Sequence, residues 1–134
     1  MSTNAERALY LDSSALVKLV VPEPESHALR VFVDGRLTLA SCSLARVEVV
    51  RAASPHGAEP VRTARLLLDE IDLAQLDDEL LDLAAELDVP LRSLDAIHLA
   101  AAIELGDELE ALVTYDAQMT RAAEALGLRV VAPA

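Results

Sequence analysis

The chain has 134 residues, 53% of them hydrophobic and only 2% aromatic, with a formal charge of −12 and a single cysteine. That length makes one domain, residues 1–134, with a substantial core; one thiol excludes an internal disulfide, and no apolar run is long enough to span a membrane. Few aromatic rings leave little surface for stacking bases, and the net charge argues against a sequence-blind polyanion binder.

The polar Met1–Arg7 has no hydrophobic signal core and is expected to be a flexible N-terminus. Together with the lone Cys42, read as small and buried, it predicts a cytoplasmic protein. Ala8-Leu9-Tyr10-Leu11 is a short apolar run that stops at Asp12, the pattern of a buried strand. Ser13 or Ser14 then caps a helix, which Pro22 and Pro24 end. Ser26–Val33 reads as a second helix stopped by Asp34-Gly35, and Leu37–Ala40 as a short second strand. Leu44–Ala52 has helical spacing; Ser54–Pro60, with Pro55, Gly57 and Pro60, is a loop; Val61–Leu68 returns to helix. Ile71–Leu76 alternates partly and suits an edge strand.

Asp77–Leu87 is an amphipathic helix with acids at its start, favourable for the helix dipole, and Val89-Pro90 breaks it. Ser93 is expected to cap a helix that runs through Leu105 to Gly106. Its residues are apolar nearly all round, so it belongs at the centre of the fold. Leu112–Tyr115 is a strand stopped by Asp116; Ala117–Leu126 is the last helix, with Gly127 as its C-cap; Arg129–Val131 is a final strand. Strands alternating with helices across short loops predict a three-layer α/β/α domain around a parallel sheet.

Four carboxylates sit where packing alone does not ask for them. Asp12 ends the first strand and Asp116 the fourth; Glu48 interrupts Val47-Glu48-Val49-Val50; Asp95 lies in the first turn of the apolar helix. Each has an ordinary explanation taken singly: an N-cap, a dipole match, a turn, a solvated helix position. Together on one sheet edge they would repel and raise each other's pKa, a penalty a bound cation removes. Oxygen donors without cysteine select a hard cation, Mg²⁺ or Mn²⁺. His98, three residues after Asp95, is placed to coordinate as well, but reads better as a packed or hydrogen-bonded helix residue, and His27 and His56 read as surface residues. In that scheme Asp12, Asp95 and Asp116 are the main ligands or water bridges, and Glu48 is a ligand or a base for the attacking water. Ser14 and Thr114 hold ligands or touch phosphate; Arg46, Arg51 and Arg92 are candidates to meet a phosphate backbone. Nine acids and no Lys or Arg lie between Asp69 and Asp88, so the rest of the chain carries only −3, which leaves a nucleic-acid substrate open.

The chain resembles a PIN domain of the kind found in VapC-type toxin ribonucleases of bacterial toxin–antitoxin pairs. The matching pieces are Leu11–Lys18, Arg46–Val49, Leu91–Ala100 and Val113–Asp116, in order and at fitting distances over nearly the whole chain. The resemblance implies Mg²⁺- or Mn²⁺-dependent endonucleolytic cleavage of RNA by in-line attack of metal-activated water, leaving a 5′-phosphate and a 3′-hydroxyl. It places Asp12, Glu48, Asp95 and Asp116 on the family's acidic quartet. It also implies a homodimer and a cognate VapB antitoxin, with operator DNA contacted only through that antitoxin and no membrane partner. A groove near Leu16, Val20 and Val47 is expected to receive a helix of the antitoxin.

The acidic block departs from this pattern, and the sequence offers no reason for it. An alternative is a PIN-like module of little or no activity that serves as the antitoxin-binding subunit. A receiver-type signalling domain would want a lysine on a late strand, and Lys18 is the only one; a phosphate-loop nucleotide binder would want a Gly-rich loop, and none is present.

Overall fold

The computed structural model describes residues 7–36 and 38–134. Five parallel strands form one sheet: β1 (Ala8–Leu11), β2 (Leu39–Cys42), β3 (Asp72–Ala74), β4 (Leu109–Val113) and β5 (Val130–Val131), in the spatial order β3-β2-β1-β4-β5. Between them run seven α-helices among the described residues: α1 (Ser13–Lys18), α2 (Ser26–Val33), α3 (Ala45–Ala53), α4 (Ala58–Glu70), α5 (Asp78–Glu86), α6 (Ser93–Glu104) and α7 (Ala117–Ala125).

The two-residue period of β1 divides the core. Leu9 and Leu11 pack with Leu16, Leu29, Val49 and Leu68 from α1–α4. Tyr10 points the other way and packs with Leu80, Leu99 and Met119 from α5–α7. Helices on both faces bury β1 completely, which is why it reads as an unbroken apolar run. The result is the expected three-layer α/β/α arrangement. α6 is where its composition demands, with His98 through Ala102 all buried.

Strand order locates the functional end. The chain moves outward from β1 to β2 to β3, then crosses back to β4 on the other flank of β1. Leu9 is in register with Leu39 on one side and Ala111 on the other. The reversal opens a crevice beyond the carboxyl ends of β1 and β4, the place where open α/β sheets bind ligands. Asp12 and Thr114 are the first residues past those two ends.

Several boundaries differ from the sequence reading. The N-cap of α1 is Asp12, whose Oδ1 accepts from the Ala15 N–H, not Ser13 or Ser14, which begin the helix. Likewise Ser93 opens α6 as its first residue, and the cap position falls to Arg92 with no side-chain bond. β2 runs later than Leu37–Ala40; small polar Ser41 and Cys42 look like a loop, yet pairing to Leu73 and Ala74 draws them into the sheet. Leu37 lies outside the described residues, as does the expected flexible N-terminus except Arg7. The Ser54–Pro60 loop shrinks to a 3₁₀ turn, Ser54–His56, and Gly57. Pro60 falls inside the first turn of α4, where a missing N–H breaks no helical bond. β4 stops at Val113, so Thr114 and Tyr115 are free to turn into the site. The C-cap of α7 is Leu126, and Gly127 follows with φ 84°, the left-handed position glycine tolerates. Among the described residues no helix is long and apolar enough to cross a membrane.

Candidate active site

The centre of the crevice is Asp12, 4% exposed. Its Oδ1 accepts from the Ala15 N–H at 3.1 Å and from Ser14 Oγ at 2.6 Å. Its Oδ2 accepts from Thr114 Oγ1 at 2.5 Å. Burial pushes this carboxyl up, against the pull of those hydrogen bonds. Thr114 Oγ1 accepts in turn from the Asp116 N–H at 3.1 Å, and Ser14 Oγ from the Tyr115 N–H at 3.0 Å. The two hydroxyls therefore lock the turn after β4 to the turn after β1. Of the two roles expected for Ser14 and Thr114, these bonds are those of holding a carboxylate.

Asp116 caps the start of α7, its Oδ1 accepting from the Met119 N–H at 2.9 Å. Asp95 sits in the first turn of α6, half-buried and bound to none of them. Its carboxyl is raised by burial first, then by the charges of Asp116 and Asp12, with Glu48 adding a smaller push. All four acids thus lie in one electrostatic neighbourhood. They are not closed on one point: among the described residues no three His, Cys, Asp or Glu side chains are gathered tightly enough to hold an ion as they stand. Each of the other three is turned toward its own hydrogen-bond donors instead, Asp12 and Asp116 toward backbone N–H groups and Glu48 toward Ser13 and His98. The donor set, oxygen only and mutually repelling, fits a hard divalent cation.

Glu48 comes from α3 on the opposite face of the sheet from α6. Its Oε1 accepts from Ser13 Oγ at 2.5 Å and lies 2.7 Å from His98 Nε2. Burial would raise this carboxyl, but the bonds to His98 and Ser13 outweigh it and hold it below the usual range. His98 is 1% exposed, and its Nδ1 lies 2.8 Å from Tyr10 Oη and 3.6 Å from Cys42 Sγ. Burial opposes a charge on this ring, yet Cys42 and Glu48 push it up to about 10. So His98 is a hydrogen-bonded helix histidine, as its setting suggested, but its partner is one of the four acids. Ser13, Tyr10 and His98 were not among the predicted site residues. The available signal was polarity in apolar company: a tyrosine in a buried strand and a histidine in an all-apolar helix both need partners.

Beside Glu48 opens a cleft of about 400 Å³, lined by Ser13, Ser14, Lys18, Glu48 and Tyr115 among others. Lys18 stands 4.6 Å from the centre of the Tyr115 ring and bridges Glu25 at 2.6 Å and Glu23 at 3.2 Å. A larger cleft of about 620 Å³, lined by Ile103, Leu109, Leu128 and Arg129 among others, contains none of the four acids.

The remaining predicted residues divide. Arg46 is exposed and lies 3.6 Å from Asp69, so its charge is shared with the acidic block. Arg51 and Arg92 are exposed, and among the described residues neither makes an ion pair; Arg92 stands just before the turn that carries Asp95. Of the expected antitoxin groove, only Val47 is open, at 59% exposure. Leu16 and Val20 are buried in the α1–α4 core, because the face of α1 that carries them packs on β1. The expectation that they line a groove is thereby corrected: both are core residues. His27 and His56 are exposed and Cys42 is fully buried, as expected.

Comparison with known proteins agrees with this architecture. The PIN domain family matches residues 9–125. Ribonuclease VapC46 of Mycobacterium tuberculosis is 50% identical over 94% of this chain and 98% of its own length. Ribonuclease VapC35 of the same species is 45% identical over 93% of this chain and 96% of its own, and Ribonuclease VapC47 is 39% identical over the same shares. The crystal structure of Mycobacterium tuberculosis VapC20, a sarcin-ricin loop cleaving toxin, superposes with a TM-score of 0.74. It covers 93% of this chain and 99% of that one at 14% identity, a likeness of fold. A parallel sheet with its acids around the β1–β4 crevice, and relatives of this closeness along nearly the whole length, make the chain a member of the PIN domain family, of the VapC type.

Proposed function

We propose that this PIN domain is the toxin endoribonuclease of a VapBC-type toxin–antitoxin pair, cutting RNA phosphodiester bonds with Asp12, Glu48, Asp95 and Asp116. The observation that carries this reading is Asp95: burial and the charges of the other three acids raise its carboxyl, at the crevice where the sheet reverses. Among the described residues Asp12, Asp95 and Asp116 make no ion pair, and three such carboxylates at one sheet edge ask for a cation; Glu48 alone of the four is paired, with His98. The ribonuclease names of relatives at 39–50% identity support the same reaction class.

Asp12, Asp95 and Asp116 would hold Mg²⁺ or Mn²⁺, with Glu48 as a further ligand or the base for the attacking water. A cation bound there supplies a more acidic water and neutralises a phosphoryl oxygen. The protein's own part is orientation. Ser14 and Thr114 keep both oxygens of Asp12 aimed from a fixed turn, and the α7 N-terminus steadies Asp116. Arg92, beside Asp95, would meet the phosphate backbone, and Arg46 would do so after leaving Asp69. A homodimer, a cognate VapB-type antitoxin seated against Val47, operator DNA reached through that antitoxin and a cytoplasmic setting belong to the same proposal.

Cleavage of total cellular RNA with mapped ends, with and without chelator, tests it. The expected result is 5′-phosphate ends that depend on Mg²⁺ or Mn²⁺ and vanish in Asp12→Asn and Asp95→Asn while the fold persists. Equal cleavage by parent and both variants, or cleavage indifferent to chelator, overturns it and leaves the antitoxin-binding module as the reading.

A further inference from the structure

We propose that His98 is the positioning residue for Glu48: it reaches past the carboxyl edge of the sheet and fixes which Glu48 oxygen the site can use. The inference rests on the nuclease reading above. Its basis is a chain of contacts through five elements. Tyr10 on β1 and Cys42 on β2 meet His98 Nδ1, at 2.8 and 3.6 Å. Nε2 meets Glu48 Oε1 on α3 at 2.7 Å. Ser13 on α1 donates to that same Oε1 at 2.5 Å and lies 3.2 Å from Nε2.

Three features separate aiming from mere packing. First, the ring cannot turn: it is 1% exposed, and the Tyr10 ring packs edge-on against it, centroids 5.9 Å apart at 76°. Second, Glu48 has no need of the bond for its own solvation, because its side chain keeps 25% exposure and water could serve it. Third, both donors fall on Oε1. Among the described residues Oε2 accepts from nothing, so Glu48 is left with one committed oxygen and one to offer. A glutamate on a half-exposed helix face would otherwise sample several rotamers, and α3 has nothing of its own to choose among them.

The test uses the full chain and reads Mn²⁺ affinity by electron paramagnetic resonance of the free ion, alongside steady-state RNA cleavage and thermal melting. His98→Leu should weaken Mn²⁺ binding and lower kcat by about 10–100-fold, the usual effect of removing an outer-shell partner. KM should stay within about threefold, because His98 does not touch RNA. His98→Gln, whose amide can donate near the Nε2 position, should restore most of the loss. Tyr10→Phe keeps the volume and should cost a smaller part of it.

Parental Mn²⁺ affinity and kcat in folded His98→Leu overturn the proposal, and so does a His98→Gln variant as poor as His98→Leu, which would mark packing alone. If His98→Leu does not fold, Tyr10→Phe decides, and unchanged affinity and kcat in that variant overturn it. Glu48→Gln separates the two levels. If Glu48→Gln is impaired and His98→Leu is not, only the positioning role falls; if Glu48→Gln binds Mn²⁺ and cleaves as the parent does, the quartet reading falls and takes this inference with it.

Discussion

Asp12 is where folding and chemistry pull in opposite directions. It caps α1, which any Asp, Asn or Ser would do, but it is also a carboxylate 4% exposed. Burial raises its pKa above the ordinary 3.8. A carboxyl raised in this way favours folding below its unfolded pKa, and that contribution is lost as pH rises through the folded value. Asp12→Asn keeps a capping oxygen and removes the buried charge. The variant should melt with the parent near pH 3, below the ordinary carboxylate pKa, and above it at pH 7, while cleavage is lost. Calorimetry across that range in chelator checks this, and a variant less stable than the parent at pH 7 would mean that the ionised form is what the fold prefers.

At the scale of elements, caps and faces carry the testable consequences. α5 is capped by Asp77, whose Oδ1 accepts from the Leu80 N–H at 2.9 Å, whereas Ser93 in α6 caps nothing. Asp77→Ala should therefore cost about 1 kcal/mol, or roughly 3–5 °C in Tm, and Ser93→Ala should be close to neutral. Equal losses in thermal melts would show that the two serve alike. Val47 and Leu16 make a second contrast, on helices of the same layer. Leu16 is fully buried, so Leu16→Ala should destabilise the fold by about 2–5 kcal/mol. Val47 faces solvent, so Val47→Asp should leave Tm nearly unchanged and weaken antitoxin binding, read by titration calorimetry. Unaltered antitoxin affinity would remove Val47 from the docking surface.

For the whole molecule the governing fact is a charge of −12. Proteins that hold nucleic acid by many phosphate contacts lose about 10³–10⁵ in affinity between 50 and 200 mM salt. With Arg46 shared with Asp69 and Lys18 held by Glu23 and Glu25, Arg51 and Arg92 are the two candidate phosphate contacts that make no ion pair among the described residues, too few to release many counterions. KM for RNA should change by less than about tenfold over that range at fixed Mg²⁺. A steep fall in cleavage assays would reveal a basic track. The acidic block also presses on its neighbours: the carboxyl of Glu104, at the end of α6, is raised by burial and then by the charges of Asp77 and Glu79.

The sequence by itself determined the architecture and the family, and it is the source of the proposed reaction class. Apolar runs ending at Asp12 and before Asp116, and helices of clear period between them, admit little besides a parallel α/β sheet, since hydrophobic spacing is a local property of the chain. The four acids were legible for the same reason, each breaking an apolar pattern. Only the tertiary structure decided who touches whom. Ser13, Glu48, Tyr10 and His98 lie on four different elements, the last two 88 positions apart, and no local pattern encodes a hydrogen bond across that separation. The same holds for Leu16 and Val20: the sequence marks them as apolar, and only packing tells a core face from an open one.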